Sequence, residues 1–173
     1  ASAGFTMSSV TATTSANYID FTSLPAGTKV IYLNFNVVSA SGTDNLLIQI
    51  GDSGGIETSG YVNYGGQFVG AGISGQNFLD SASASGLAIY QPSANQGHNG
   101  TVSLRLIDGS NNIWTMNYIG LNVNNVDDDP PSLQGFNLVS ANKTLSAELD
   151  RVRMKLSGSN TFDAGSCSIL YMG

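Results

Sequence analysis

Apolar and polar side chains alternate with a period of two along most of this chain, and this pattern constrains its fold more than any other feature. In the segment RVRMKL (residues 151–156), Val152, Met154 and Leu156 fall on one side and three basic residues fall on the other. Successive side chains of a β-strand point to opposite faces, so the segment reads as a strand with one buried face and one wet face. The same alternation occurs in KVIYLNFNVV (29–38), TVSLRLID (101–108) and IWTMNYI (113–119).

Short clusters of Gly, Pro, Asp, Asn and Ser separate these segments and predict tight turns between strands. One cluster, DGSN at residues 108–111, lies between two alternating segments and predicts a hairpin. Helical spacing is nearly absent, and only the segment TLSAELD (144–150) favours a single turn of helix. About eight to ten short strands predict one all-β domain over residues 1–173, an antiparallel β-sandwich of jelly-roll type with little or no helix.

The composition indicates a globular chain whose surface carries few charges. Charged residues make up 10% of the chain and apolar residues 41%, with a net charge of −6. This acidic balance disfavours nucleic acid as a partner, because phosphate binding uses clustered Lys and Arg. No stretch reaches the roughly 18 apolar residues of a membrane span, which predicts no membrane insertion. Cys167 is the only cysteine, so no internal disulfide is possible, and its alternating neighbours predict a buried thiol.

The motif GDSGG (51–55) raises the question of a nucleophilic serine, because Asp-Ser-Gly surrounds the nucleophile of chymotrypsin-like proteases. A serine needs a neighbouring base, and the only histidine, His98, follows Ser53 in the chain instead of preceding it. GDS-type esterases need an Asp-x-x-His pair, but the residue three before His98 is Asn95. The glycines permit a sharp reversal, and Asp52 and Ser53 can bond local amides. The motif is therefore predicted to be a turn, and His98 is predicted to be a loop residue. The chain is predicted to have no enzymatic activity and no cofactor.

Two clusters of charged residues are candidates for binding. Asp127, Asp128 and Asp129, close to Asn124 and Asn125, supply oxygen atoms of the kind that bind calcium, although a solvated acidic loop is the favoured interpretation. The second cluster is a basic stripe on one face of the strand at 151–156. It predicts ion pairs with neighbouring carboxylates or a subunit contact, with an anionic polysaccharide site as the alternative. The stripe consists of Arg151, Arg153 and Lys155.

Aromatic residues are the other candidates for ligand contacts. Trp114, the only tryptophan, falls on the inner side of its strand and is predicted to lie in the core. Tyr61, Tyr64 and Tyr90 occur near glycine-rich segments and are the better candidates for stacking on a glycan.

Three blocks of the sequence resemble a known family. They are IDFTSLPAGTKVIYLNFNVVSASGT (19–43), LLIQIGDSGGIETSGY (46–61) and LSAELDRVRMKLSGSNTFDAGSCSILYM (145–172). The chain is similar to β-rich domains of tailed-bacteriophage virion proteins, found at the C-terminal ends of fibres and other appendages. The resemblance implies a jelly-roll sandwich on the virion exterior that often trimerises and touches the host surface. It also implies that the GDSGG-like stretch is a turn with no assigned chemistry.

The expected function is that of a non-enzymatic virion domain, a fibre or appendage tip that assembles as a homotrimer and attaches to the host. Its expected partners are copies of itself, other virion proteins, and a glycan or protein of the host cell surface. Three identical sets of loops would add weak contacts into useful avidity. Two alternatives are a capsid decoration or head-fibre protein and a carbohydrate-binding module of a secreted protein.

Overall fold

The structure, a computed structural model, describes residues 4–69, 75–124 and 132–172. At residues 69, 75–83, 124 and 132–134 it describes the backbone only. Within these ranges the chain forms fourteen β-strands and no helix. The strands are β1 (Thr6–Met7), β2 (Thr11–Ala12), β3 (Tyr18–Phe21), β4 (Val30–Ala40), β5 (Leu46–Asp52), β6 (Gly55–Ile56), β7 (Tyr61–Val69), β8 (Gly75–Ala84), β9 (Leu87–Ile89), β10 (Gln96–Asp108), β11 (Ile113–Asn124), β12 (Ser132–Thr144), β13 (Arg151–Leu156) and β14 (Phe162–Met172).

The strands form two antiparallel sheets of unequal width. The large sheet has nine strands in the order β1-β14-β4-β10-β11-β12-β7-β8, with β2 also paired to β14. The small sheet has five strands in the order β3-β13-β5-β6, with β9 also paired to β5. The two sheets pack together, which confirms the predicted all-β antiparallel sandwich.

The core lies between the sheets and consists of the side chains that alternation had placed inward. In β13 the burial pattern alternates without a break, as predicted from RVRMKL. Trp114 is in the core, also as predicted, and β5 is buried along its whole length. The central core residues are Ile31, Leu33, Ile48, Ile50, Leu104, Trp114, Met116, Val152, Met154 and Ile169.

The predicted turn of helix at residues 144–150 is wrong, because this segment is an irregular loop between β12 and β13. Its polar groups bond to other parts of the chain instead of to one another. The Ser146 N–H donates to Glu57 Oε1 at 2.7 Å, and Glu148 Oε1 accepts from the Gly27 N–H at 2.6 Å. Leu145 and Leu149 are buried in the core, so tertiary contacts outweigh the local helical preference.

The backbones of β10 and β11 approach closely where Gly100 pairs with Gly120. A Cβ atom on Gly100 would lie 2.4 Å from the Ile119 carbonyl oxygen and 2.5 Å from the Gly120 Cα. Both of these atoms belong to the backbone, so they cannot move aside as a flexible side chain would. The close backbone approach of β10 and β11 therefore requires glycine at position 100.

Gly100→Ala is expected to destabilise the fold by about 1–3 kcal/mol, because the added methyl group forces the backbone of β11 to shift. Gly4→Ala is the matched control, since a Cβ there meets nothing within 4 Å. Urea unfolding followed by circular dichroism measures both effects. Equal stability of the two variants would contradict the close approach.

Candidate functional site

The GDSGG motif forms the turn between β5 and β6, with Ser53 exposed at its tip. The neighbouring Asp52 is buried, and both of its carboxylate oxygens are bonded. Oδ2 accepts from the Ser146 hydroxyl at 2.6 Å, and Oδ1 accepts from the Gly54 N–H at 2.7 Å. The hydrogen bond from Ser146, followed by that from Gly54, lowers the pKa of Asp52. Asp52 therefore has a structural role in this motif, because its bond from Ser146 links the turn to the loop before β13.

A second set of contacts secures the same loop. Glu57 forms an ion pair with the buried Lys143 and accepts from the Ser146 N–H. Burial acts to raise the pKa of Glu57, but the contacts with Lys143 and Ser146 outweigh it and lower the pKa. The Lys143 ammonium lies 5.5 Å from the centre of the Tyr61 ring, and the Tyr61 hydroxyl accepts from the Ile50 N–H at 2.8 Å. These groups form one structural network around the turn.

His98 lies in β10 and is fully buried, which corrects its prediction as a loop residue. The alternation of β10 turns this side chain toward the interior, where it has polar partners. Its Nε2 bonds to Gln91 Oε1, and its Nδ1 lies 3.5 Å from Asn137 Nδ2. Burial lowers the pKa of His98 to about 4. Both ring nitrogens have partners other than Ser53, so the geometry is not that of a serine–histidine dyad.

Ser53→Ala is expected to change stability by less than about 0.5 kcal/mol, because the side chain is exposed. Asp52→Ala is expected to cost about 1–3 kcal/mol, because it removes a buried carboxylate and its hydrogen bonds from Ser146 and Gly54. Urea unfolding of the two variants measures the contrast. A fluorophosphonate probe is expected to leave Ser53 unlabelled, and covalent labelling would contradict the structural role of the turn.

The buried His98 makes stability depend on pH. Its folded-state pKa of about 4 is below the ordinary value of 6.5, so protons bind preferentially to the unfolded chain. The stabilisation is complete above pH 6.5 and is lost as the pH falls toward 4. Between pH 7 and pH 5, the contribution of His98 to the free energy of unfolding is expected to fall by about 2 kcal/mol.

Urea unfolding at intervals from pH 7 to pH 5 measures this loss. The variant His98→Gln is the control, because it keeps a buried polar group that does not titrate. Its stability is expected to stay flat over the same interval. An equal loss in both proteins would rule out His98 as the cause.

The two arginines of the basic stripe are paired within the chain. Arg151 Nε lies 2.6 Å from Asp150 Oδ1, and Arg153 makes a two-pronged contact with Asp20 at 2.6 and 2.7 Å. The hydrogen bonds that the guanidinium groups donate to these carboxylates raise the pKa of both arginines. This is the pairing that the sequence favours over an anion site. Lys155 follows on the same face, and the subunit contact stays a prediction.

The structure separates the three candidate tyrosines. Tyr61 is fully buried and its hydroxyl is bonded to the backbone of Ile50, so the prediction that it stacks on a glycan is wrong. Tyr61 is the first residue of β7, and its side chain faces inward and reaches the backbone of β5. Tyr64 is exposed on the outer face of the large sheet, and Tyr90 is half-buried after β9.

The calcium candidates Asp127, Asp128 and Asp129 lie outside the described residues. Within the described ranges, no group of three or more His, Cys, Asp or Glu could hold a metal.

The outer face of the large sheet carries a contiguous set of exposed apolar side chains, which we call the apolar ridge. It consists of Ile119, Leu121, Phe136 and Leu138. Ile119 pairs with Leu138 and Leu121 pairs with Phe136, so the ridge occupies two adjacent rows across β11 and β12. The ring of Phe68 on β7 stacks on that of Phe136 with centroids 4.9 Å apart. A depression of about 530 Å³ adjoins the ridge, with Asn99, Gly100 and Gly120 on its other side.

Polarity is inverted in this part of the sheet. Behind the ridge, a group of inward side chains on β7, β10, β11 and β12 is polar and buried. Asn137 Nδ2 donates to Asn122 Oδ1 at 2.7 Å, next to His98. The buried polar side chains are Gln67, His98, Asn122 and Asn137. A sheet in contact with water on its outer face has the opposite arrangement, with polar residues outward.

The ridge was missed in the sequence, although a signal for it was present. Alternation in IWTMNYI places Trp114 and Tyr118 inward, and continuing it through Gly120 places Ile119 and Leu121 outward. Gly120 has no side chain and interrupts the apolar series at this point. Counting alternate positions through a glycine would have identified half of the ridge.

The chain matches no protein family, no curated protein and no solved structure with which it was compared. In the described part of the chain, no helix has the length and apolar character of a membrane span.

Proposed function

We propose that this chain is a non-enzymatic assembly and attachment domain of a bacteriophage virion appendage, and that it acts as a homotrimer. The virion role rests on the resemblance of residues 19–43, 46–61 and 145–172 to phage appendage domains. The apolar ridge is the single observation that carries the homotrimer. In this proposal Asp52, Ser53 and His98 have structural roles and no catalytic step is assigned to them.

The area of the ridge suits a contact between subunits. Side chains of this size have roughly 150–250 Å² of surface, and those of the ridge are 42–64% exposed. Together with the exposed Val62 and Tyr64 on β7, they leave about 600 Å² of mainly apolar surface in water. A standard interface buries about 800 Å² on each partner, so this surface forms most of one such contact.

The charge of the chain favours another copy of itself at this surface. The protein carries a net charge of −6, so two copies repel each other over most approaches. The outward rows of β7, β11 and β12 contain no charged residue among the described side chains. Copies that meet here bury apolar surface and bring no like charges together.

Attachment follows from the number of copies. A trimer presents three identical sets of loops to one cell surface, so weak contacts with a host glycan or protein combine into strong binding. A surface rich in Ser, Thr and Asn forms hydrogen bonds with sugars, and its few charges make such binding insensitive to salt. Glycan binding by the isolated domain would rise steeply on going from monomer to trimer.

Light scattering is expected to give a mass about three times the chain mass of 17.9 kDa. Ile119→Lys places a charge in the ridge and is expected to lower the mass to that of one chain. Ile107→Lys is the matched control, because Ile107 is 62% exposed and Ile119 is 64% exposed, and it is expected to leave the trimer intact. A wild-type mass of one chain at all concentrations would contradict the proposal, and so would a trimer that tolerates Ile119→Lys.

A further inference from the structure

A second apolar surface, which we call the N-terminal patch, lies at the β1 edge of the large sheet, away from the ridge strands β11 and β12. It consists of Phe5, Met7 and Val10, which are 54–66% exposed. Met7 pairs with Leu170 on β14, and the ring of Phe5 lies 6.2 Å from that of Tyr32 on β4. The patch and the apolar ridge together contain seven of the eleven large exposed hydrophobic residues in the described part of the chain.

The strip of sheet between the two surfaces is polar. It contains Asn34 on β4 and Thr101 and Ser103 on β10, and the Thr101 hydroxyl donates to Asn34 Oδ1 at 3.0 Å. The two apolar surfaces are therefore separate and differ in shape. The ridge is formed by two long central strands, whereas the patch lies on and beside two-residue strands at the edge.

A closed ring of identical copies needs two different contact surfaces on each copy. A twofold dimer uses the same surface on both copies, whereas a ring of three copies joins one surface of each copy to a different surface of the next. We propose that the N-terminal patch of one copy packs on the apolar ridge of the neighbouring copy. This inference rests on the proposed homotrimer and specifies its contact.

The chemistry of the two surfaces is complementary. Residues 4–14 contain no charged side chain, and neither does the ridge, so their contact brings no charges together. The three side chains of the patch expose roughly 300 Å², an area that fits within the ridge. The depression beside Leu121 and Phe136 has a volume of about 530 Å³, which is enough for the Phe5 or Met7 side chain.

A ring that joins patch to ridge also covers more apolar surface than a twofold contact of ridge on ridge. Packing ridge on ridge would leave Phe5, Met7 and Val10 of both copies in water. In the ring every copy offers one patch and one ridge, and each is covered once. The hydrophobic effect favours the arrangement that removes both surfaces from water.

Cysteine cross-linking tests this contact directly. Met7 and Leu138 are on strands separated by four others, so within one chain they are about 24 Å apart, too far for a disulfide. The native Cys167 is buried, and burial raises its pKa to about 11, so it stays reduced during mild oxidation. Any covalent species therefore reports a contact between chains.

Under mild oxidation, the double variant Met7→Cys/Leu138→Cys is expected to form covalent trimers on non-reducing gels. The double variant Val10→Cys/Leu121→Cys is expected to do the same and allows for a small offset in register. The corresponding single variants are expected to stay as single chains, because a ring places unlike residues together.

Dimers formed by Leu138→Cys alone would overturn the inference, because they indicate a twofold contact of ridge on ridge. Covalent dimers without trimers from the double variants would also overturn it, because they indicate a twofold contact of patch on ridge. The absence of cross-links in both double variants, with light scattering still showing three chains, would overturn the inference and leave the proposed homotrimer intact. A mass of one chain for the wild type would overturn both.

Discussion

The packing of a five-stranded sheet against a nine-stranded sheet is the interaction on which the rest of this structure depends. Inward side chains of β4, β10 and β11 meet those of β5 and β13 in one continuous apolar core. Beyond the Gly100–Gly120 pair the inward positions become polar and form a buried hydrogen-bonded cluster around His98. The apolar side chains of the same strands then face outward, so one pattern of alternation produces both the core and the ridge.

Alternation predicted the orientation of side chains well, and the DGSN turn correctly predicted the hairpin of β10 and β11. The pairing of strands that are distant in the chain was not predicted. RVRMKL and IWTMNYI have the burial predicted for them, because a strand's period depends only on its own backbone. The placement of β4 between β10 and β14 depends on contacts between segments far apart in the chain. The alternation within one segment contains no information about which distant segment pairs with it.

The same limit explains which functional groups could be predicted. GDSGG was correctly predicted to be a turn, because its glycines and its Asp determine its local geometry. Its bond to Ser146 joins residues 94 positions apart and could not be predicted. Tyr61 was misread because neighbouring glycines suggested an exposed loop, whereas its hydroxyl bonds to the backbone of Ile50 across the core. The cluster around His98 likewise depends on three strands meeting.

The edge of the large sheet has a consequence for how copies can associate. Along β14 the edge is covered by β1 and β2, two strands of two residues each with a break between them. An interrupted edge offers no continuous row of free N–H and C=O groups to which a foreign strand could add. At this side, neighbouring molecules can meet through side chains but cannot extend the sheet by main-chain pairing. Growth by strand addition has no natural end, so blunting this edge protects the protein from forming fibrils through it.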